Sequence, residues 1–397
     1  MKTGYGKISG DVTDTRGKEK KEAVANEEKV YVGAMDHTIY LVVLILVLIG
    51  IVMVFSASFL YTSRREAFNY DPFYHLQKSS AIALIGFFLM NLMASNISYR
   101  YIKKFAPLLY VISAVLLVLV FFFGRSRRWF DVPVIGSLQP SEIAKAAIII
   151  YLAALIDKKN KILSDWKGFL KCMLAVGIMA FFVVIGNLST AVIICVLGLG
   201  MIFASSPHVL RFIIAGGLGA GGLGGYLWYL YATGSENFRA GRIMAWLNPF
   251  SEEVLDTYGY QIINSLYAVA SGGMFGLGIG QSRQKTFLPE AHNDIIFSII
   301  CEEMGFIGAA IVLFLFGILI WRGVRVAVRA PDIFSSLIAS GTVLMIATQV
   351  IINVAVVTNS IPNTGIPMPF ISYGGTSLIV CMGLSGVLLN ISRHIKE

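Results

Sequence analysis

Charge is what this chain is short of. Only 14% of its 397 residues are charged, against 56% hydrophobic, a balance that excludes an ordinary soluble globular domain. Cysteine is scarce too. Cys172, Cys195, Cys301 and Cys381 all lie in apolar segments, at spacings that fit neither a zinc site nor a disulfide framework. They read as small buried hydrophobes. The alternating apolar-polar pattern of a membrane β-barrel is missing. So is a phosphate-binding loop followed by Lys-Ser/Thr. The glycine run Gly216–Gly225 lies within an apolar stretch, where it permits close helix packing. The leader before the first apolar run is long and polar, without a small-residue cleavage site, which argues against a cleavable signal.

What the chain does have is a series of apolar runs of 17 or more residues, each near the length that crosses a ~30 Å hydrocarbon core. They fall at roughly 39–61, 79–97, 105–123, 141–157, 168–186, 189–205, 210–232, 294–320, 332–357 and 372–391. The expected fold is an all-α polytopic membrane protein. It has about ten transmembrane helices and a long outer loop, about 233–293, between spans 7 and 8. Residues 1–36 mix charge and glycine without apolar pattern and read as a disordered cytoplasmic tail. Residues 37–397 form one membrane domain.

With the N-terminus inside, 21 of the 32 lysines and arginines fall on the cytoplasmic side and ten outside, Lys145 lying within a span. That bias places both termini in the cytoplasm. Arg125, Arg127 and Arg128, beside Trp129, break the rule from the outer side, as do Arg239 and Arg242. They either snorkel to outer headgroups or form a basic patch for a phosphate-bearing ligand, whose geometry suits the guanidinium fork. In the long loop, Phe238, Ile243, Trp246 and Leu247 suggest a short amphipathic helix at the interface. The stretch 261–279 is apolar but carries Gly272, Gly273, Gly276 and Gly278. It reads as re-entrant or surface-lying rather than as an eleventh span, which would reverse the charge bias.

Three polar clusters gather towards the outer side. Asp294 stands at the mouth of the eighth span, which also carries Glu302 and Glu303. Charges within a span are costly and are functional candidates by default. On a helix starting at 294, Glu302 shares a cavity with Asp294 and Glu303 faces another helix. Pro140-Ser141-Glu142 opens the fourth span. Glu142 and Lys145 there are i,i+3 neighbours, either a self-neutralising pair or the wall of a hydrated cavity that offers Lys145 to an anion. The segment Pro362–Ser377, with Ser372, carries proline and glycine densely enough to specify a rigid shape. Glu290, His292 and Asp294 are a nominal metal set at weak spacing.

On these clusters the chain resembles the SEDS family (shape, elongation, division and sporulation). The resemblance is carried, in order, by Arg127-Arg128-Trp129, Gln139–Glu142 with Lys145, Gly259-Tyr260-Gln261, Leu288 through Asp294, Glu302-Glu303 and Gly365 through Ser377. Gly280–Lys285 and Phe370–Gly375 lean towards the division branch, Ile366-Pro367 towards elongation. Gly186-Asn187-Leu188-Ser189-Thr190 stands where many members have Pro-Asp-Leu-Gly-Thr, and Asn293 replaces the commoner threonine.

The resemblance implies a peptidoglycan glycosyltransferase that polymerises lipid II outside the cytoplasmic membrane. Its expected partners are a class B penicillin-binding protein, which crosslinks the glycan, and other division-complex proteins at the septum. Nucleic acid is not among them. Asp294 then falls at the general base, and Glu142 and Lys145 at the family's fourth-span pair. Arg127, Arg128, Arg239 and Arg242, with Lys145 or a divalent cation (Mg or Mn), would meet the lipid diphosphate. His292, Glu302 and Ser372 complete the set expected to meet substrate. The rival readings are a lipid II flippase using the same acids, a scaffold without chemistry, and an elongation polymerase.

Overall fold

A computed structural model describes residues 33–132, 136–158, 163, 165–206, 208–232, 238–255, 257–288 and 290–395. The expected tail lies outside them as far as residue 32, as does the side chain of Arg239. Thirteen α-helices follow in order: α1 (His37–Ser63), α2 (Tyr74–Ser95), α3 (Tyr99–Phe123), α4 (Pro140–Lys158), α5 (Trp166–Gly186), α6 (Leu188–Ser205), α7 (Val209–Ala232), α8 (Phe238–Leu247), α9 (Glu252–Leu255), α10 (Tyr258–Ser271), α11 (Ile296–Arg329), α12 (Ile333–Val357) and α13 (Gly375–Ser392). A two-stranded antiparallel hairpin, β1 (Phe130–Val132) and β2 (Gly136–Leu138), sits between α3 and α4.

Several helices start at side-chain caps that the sequence supplies. The Asp36 side chain accepts from the Thr38 and Ile39 amides at the head of α1. Asp332 and Ser335 form a reciprocal capping box on α12. Asn187, in the segment that departs from the family pattern, caps α6 through the Thr190 amide.

Among the described residues, nine helices are long and apolar enough to cross a membrane: α1–α3, α5–α7 and α11–α13. The tenth expected span is α4. It carries Glu142, Lys145, Asp157 and Lys158 within 19 residues, too many for that group. It packs instead among α3, α5, α6 and α12, with most of its apolar side chains buried.

Ionic and polar ties define one end of the bundle. Asp36 pairs with Arg322 at 2.7 Å. The Gly33 amide donates to the Arg393 carbonyl, and the Tyr99 hydroxyl bonds Asp332 at 2.7 Å. The two described chain ends therefore share one end of the molecule. The hairpin, α8–α10 and the polar clusters lie at the other.

The segment 261–279 is no span. Its helix, α10, has 14 residues, about 21 Å of rise against a ~30 Å core. From the far end it runs in beside α11, turns, and returns towards Asp294. The turn is built on a break in α11. Gly305 has φ 69° and ψ −170° within an otherwise helical segment. In an unbroken helix the Phe306 and Ile307 amides would donate to the Glu302 and Glu303 carbonyls. Here Phe306 donates to Gly273 (2.9 Å) and Ile307 to Met274 (3.2 Å). The released carbonyls accept from Leu277 (2.9 Å) and Gly278 (3.0 Å). Two lost helical bonds become four bonds to the loop, which is how irregular backbone is accommodated at such depth.

The same two glutamates hold the returning strand with their side chains. Glu302 accepts from the Ser282 hydroxyl and from the Arg283 amide at 3.0 Å. Glu303 accepts from Ser56 of α1 at 2.6 Å, the Ser282 amide at 3.2 Å and Lys285 Nζ at 3.4 Å. The expectation that Glu303 faces another helix is met by α1. Glu302 meets the loop, not Asp294. The reason is local: α11 begins at Ile296, so Asp294 precedes the helix and the helical-wheel relation from 294 does not apply.

Gly276 has φ +78°, and a Cβ there would lie 2.2 Å from the Glu303 carbonyl oxygen. Gly276→Ala is expected to destabilise the fold by roughly 1–3 kcal/mol through strain and displacement of the turn. Thermal unfolding of the detergent-solubilised protein measures this, and an unchanged melting temperature contradicts the packing described.

Candidate functional site

Asp294 lies two residues before α11, at the end of the returning strand. Its backbone is held from α12, whose Asn353 Nδ2 donates to the Asp294 carbonyl at 2.6 Å. Gly365 passes beside the carboxyl in the left-handed region (φ +65°), its Cβ position 3.5 Å from Oδ2. A side chain there would touch the acid at ordinary contact distance but would be strained by the positive φ. Burial pushes the Asp294 carboxyl above the usual range, Arg242 pulls it down, and Glu290 adds a smaller upward push.

Arg242 comes from α8, the interfacial helix expected from Phe238, Ile243, Trp246 and Leu247. Trp246 Nε1 donates to the Asn359 carbonyl at 3.1 Å, tying α8 to the end of α12. Arg242 itself donates to the Asn363 carbonyl at 3.0 Å. Burial lowers its pKa, Asp294 raises it, and the neighbouring charge of Arg128 lowers it. Arg242 is thus within electrostatic range of both Asp294 and Arg128, and the three come from separate segments.

Arg127 and Arg128 sit in the turn between α3 and β1. Ser126 and Arg127 both take positive φ, 51° and 57°, and Arg125 bridges to Trp129. Arg128 Nε donates to the Gly186 carbonyl. Arg127 lies over the Phe121 ring, 5.1 Å from its centre. Both arginines line a small cleft with Gln139, Ser141, Phe182 and Asn187. The lining joins these basic and polar groups to apolar Leu117, Val120 and Val183.

The remaining expected residues make contacts within the fold. Glu142 and Lys145 pair at 2.8 Å with side chains 2% and 1% exposed. They match the self-neutralising reading, since the lysine is enclosed with its own counter-ion. Thr376 accepts from the Gln139 amide (3.0 Å) and donates to the Ser137 carbonyl (3.2 Å), fastening the hairpin to the start of α13. Ser372 accepts from the Met368 amide at 2.7 Å and shapes its own loop.

His292 is buried in a ring cluster with His75 (4.5 Å between centres), Tyr61 and Tyr373. Burial, reinforced by His75, pushes His292 down to about 3, so it is neutral near pH 7. Glu290 turns to Asn293 (2.7 Å) instead. The nominal Glu290–His292–Asp294 set therefore diverges. Among the described residues, no group of three or more His, Cys, Asp or Glu side chains could hold a metal ion.

Sequence reasoning passed over Asn353 and gave Asn363 no role of its own within the Pro362–Ser377 cluster. Asn363 receives the Gly365 amide on Oδ1 (3.1 Å) and donates to Gln261 of α10 at 2.7 Å. The available signal was a pair of amides, Gln349 and Asn353, one turn apart inside an apolar run and both fully buried. By the rule applied to the glutamates they were candidates too.

A family model described as cell cycle protein, covering the FtsW, RodA and SpoVE type, matches residues 36–397. Stage V sporulation protein E of Bacillus subtilis (strain 168) is 40% identical over 374 residues, covering 91% of this chain and 98% of that protein. A probable peptidoglycan glycosyltransferase FtsW of Geobacter sp. (strain M18) is 36% identical over 370 residues, covering 91% and 97%. Among solved structures, a chain from work on a peptidoglycan synthase complex, concerning the coordination of polymerization and crosslinking, superposes with TM-score 0.72. It shows 24% identity and covers 91% of this chain and 98% of that one. The rod shape determining protein RodA of Thermus thermophilus gives TM-score 0.65 at 24% identity, covering 92% and 98%.

The neutral His292 has a thermodynamic consequence. Its folded pKa is about 3 against an ordinary 6.5, so below 6.5 the unfolded chain binds the extra proton. Stability from this group is then lost as pH falls from about 6.5 towards 3, by at most about 1.4 kcal/mol per pH unit. In melting curves taken across that range, His292→Phe is expected to flatten the decline. An identical slope in the variant contradicts a buried neutral imidazole.

Proposed function

This chain belongs to the FtsW–RodA–SpoVE family, the SEDS family, and from that premise we propose that it is a peptidoglycan glycosyltransferase. It polymerises lipid II at the outer face of the cytoplasmic membrane, with Asp294 as general base. The observation that carries the reading is the placement of one half-buried carboxyl, raised by burial, within electrostatic range of Arg242, which is itself near the charge of Arg128. It stands at the end of the bundle opposite the described chain ends.

In this reaction an acceptor sugar hydroxyl attacks the anomeric carbon of the donor chain. Its O–H bond breaks and the proton passes to Asp294 as the new glycosidic bond forms. The donor's carbon–oxygen bond to the lipid diphosphate breaks, and that group leaves with the electron pair. A base with a raised pKa accepts a proton more readily while still ionised at working pH. Arg242 and Arg128 supply positive charge near the departing diphosphate, and Arg127 and the cleft shared with Gln139 and Asn187 extend that surface. Apolar helix faces keep the polyprenyl tail in the membrane while the sugars remain in water.

The buried glutamates favour this reading over a proton-driven flippase. Glu302 and Glu303 are engaged by the 281–285 loop and Ser56, so they serve as anchors of the fold. FtsW-named relatives support a septal role, with both termini cytoplasmic. The superposition on a synthase-complex chain supports work alongside a class B penicillin-binding protein and other division proteins. A tagged protein is expected at midcell, whereas side-wall localisation would assign it to elongation.

Purified protein with its crosslinking partner, supplied with lipid II in detergent, is expected to form glycan. Asp294→Asn should lower the rate by about 10²–10⁴-fold with the complex intact. Full activity in that variant rules out the base. Accessibility change in sealed vesicles without glycan in detergent would point to a flippase.

The pH profile gives an independent check. Activity needs ionised Asp294, so it falls as pH drops through the raised pKa. Since Arg242 holds that value down, Arg242→Gln should move the acidic limb of kcat/KM to higher pH. A limb that stays in place or moves down removes Arg242 from the site.

A further inference from the structure

We propose that Asn353 is a positioning residue for this site: one buried amide pins both Asp294 and the strap that accepts the Arg242 hydrogen bond, and so fixes the carboxyl relative to the guanidinium. The inference rests on Asp294 being the base. Asn353 is 0% exposed near the end of α12. Its Nδ2 donates twice, to the Asp294 carbonyl at 2.6 Å and to the Ile366 carbonyl at 2.9 Å. Those two donors exhaust the side chain's N–H groups.

The first carbonyl has lost its helical donor. In a helix continued through Asp294, the Ser298 amide would serve it, but that amide donates to Ile295 instead. Asn353 supplies a donor from another helix at the point where α11 has not yet begun. The second carbonyl belongs to a strap, Asn363–Ile366, that faces the same site. Asn363 accepts Arg242 on its carbonyl at 3.0 Å and bonds Gln261 at 2.7 Å. Gly365 lies beside the Asp294 carboxyl. Asn353 thus ties the base to the strap, and the strap ties the arginine. Losing the amide frees two segments that approach from different helices, and misplacing a reacting group by about an ångström is enough to slow a reaction roughly 100-fold.

A bond between packed membrane helices is also ordinary structural glue, so the test needs a readout that glue would not move. The groups that set the Asp294 titration are Arg242 from α8, Glu290 from the returning strand, and, acting on Arg242, Arg128 and Tyr258. If Asn353 holds Asp294 against Arg242, its loss weakens that pairing. The acidic limb of the pH–rate profile should then move to higher pH, the direction expected of Arg242→Gln.

Asn353→Leu keeps the volume, and Asn353→Ala removes both donors, each without adding a charge near Asp294. Both are measured as the full chain with its crosslinking partner, on lipid II in detergent. The expected result is a fall in kcat of roughly 10- to 100-fold, KM within about threefold, and the limb shifted upward. In the double variant with Arg242→Gln, the two shifts should add to less than their sum. Limb position does not depend on how much enzyme is folded, so a less stable variant remains informative. An unmoved limb, or full additivity with Arg242→Gln, overturns the proposal. Should Asp294→Asn itself retain activity, the base assignment fails instead, whatever Asn353 does.

Discussion

The break in α11 at Gly305 is the constraint on which the far end of this protein depends. A helix interrupted inside an apolar bundle leaves amides and carbonyls that no lipid can satisfy. Here the turn after α10 supplies both kinds of partner, through Gly273, Met274, Leu277 and Gly278. The exchange needs a backbone at Gly305 that only glycine adopts easily, and a second glycine at 276 that lets the chains touch. Once the turn is bound, the strand leaving it has one course, back along α11 towards Asp294. Glu302 and Glu303 then grip that strand from the residues bordering the break.

This arrangement explains why acids are tolerated so deep. An unpaired buried carboxylate is expensive, and replacing such a network with apolar packing is often no loss in stability. What the network supplies here is register. Glu302 binds consecutive backbone amides at 283 and 284, and Glu303 reaches Ser56 on α1. A shift of the strand by one residue would forfeit these bonds together. The placement of Asp294 is thus inherited from polar contacts deeper in the bundle, and refined at the surface by Asn353 and Gly365.

The electrostatics of the site follow the same logic of convergence. Arg128 arrives on a strained turn after α3, Arg242 on a short helix of the long loop, and Asp294 at the mouth of α11. No two are close in sequence. Burial raises the acid and the arginine lowers it, so the balance depends on segments held by Asn363, Asn353 and the Trp246–Asn359 tie.

Much of this was legible in the chain. Apolar runs of spanning length gave the helices, because the bilayer fixes their length. The lysine and arginine bias argued against an eleventh span at 261–279. Composition with the order of motifs gave the family. Helical periodicity failed at Asp294, because it assumed that the helix began there. It paired Glu142 with Lys145 but left open whether they close on each other, and it could not show that Glu302 serves the loop or that His292 stacks into rings. Nor did it single out Asn353, whose importance lies in two carbonyls 59 and 13 residues away in sequence. The sequence by itself determined a membrane bundle and a short set of polar residues towards one end, because hydrophobic length and charge are local properties. Only the tertiary structure decided which of those residues meet, because that turns on a broken helix whose freed hydrogen bonds are answered by another part of the chain.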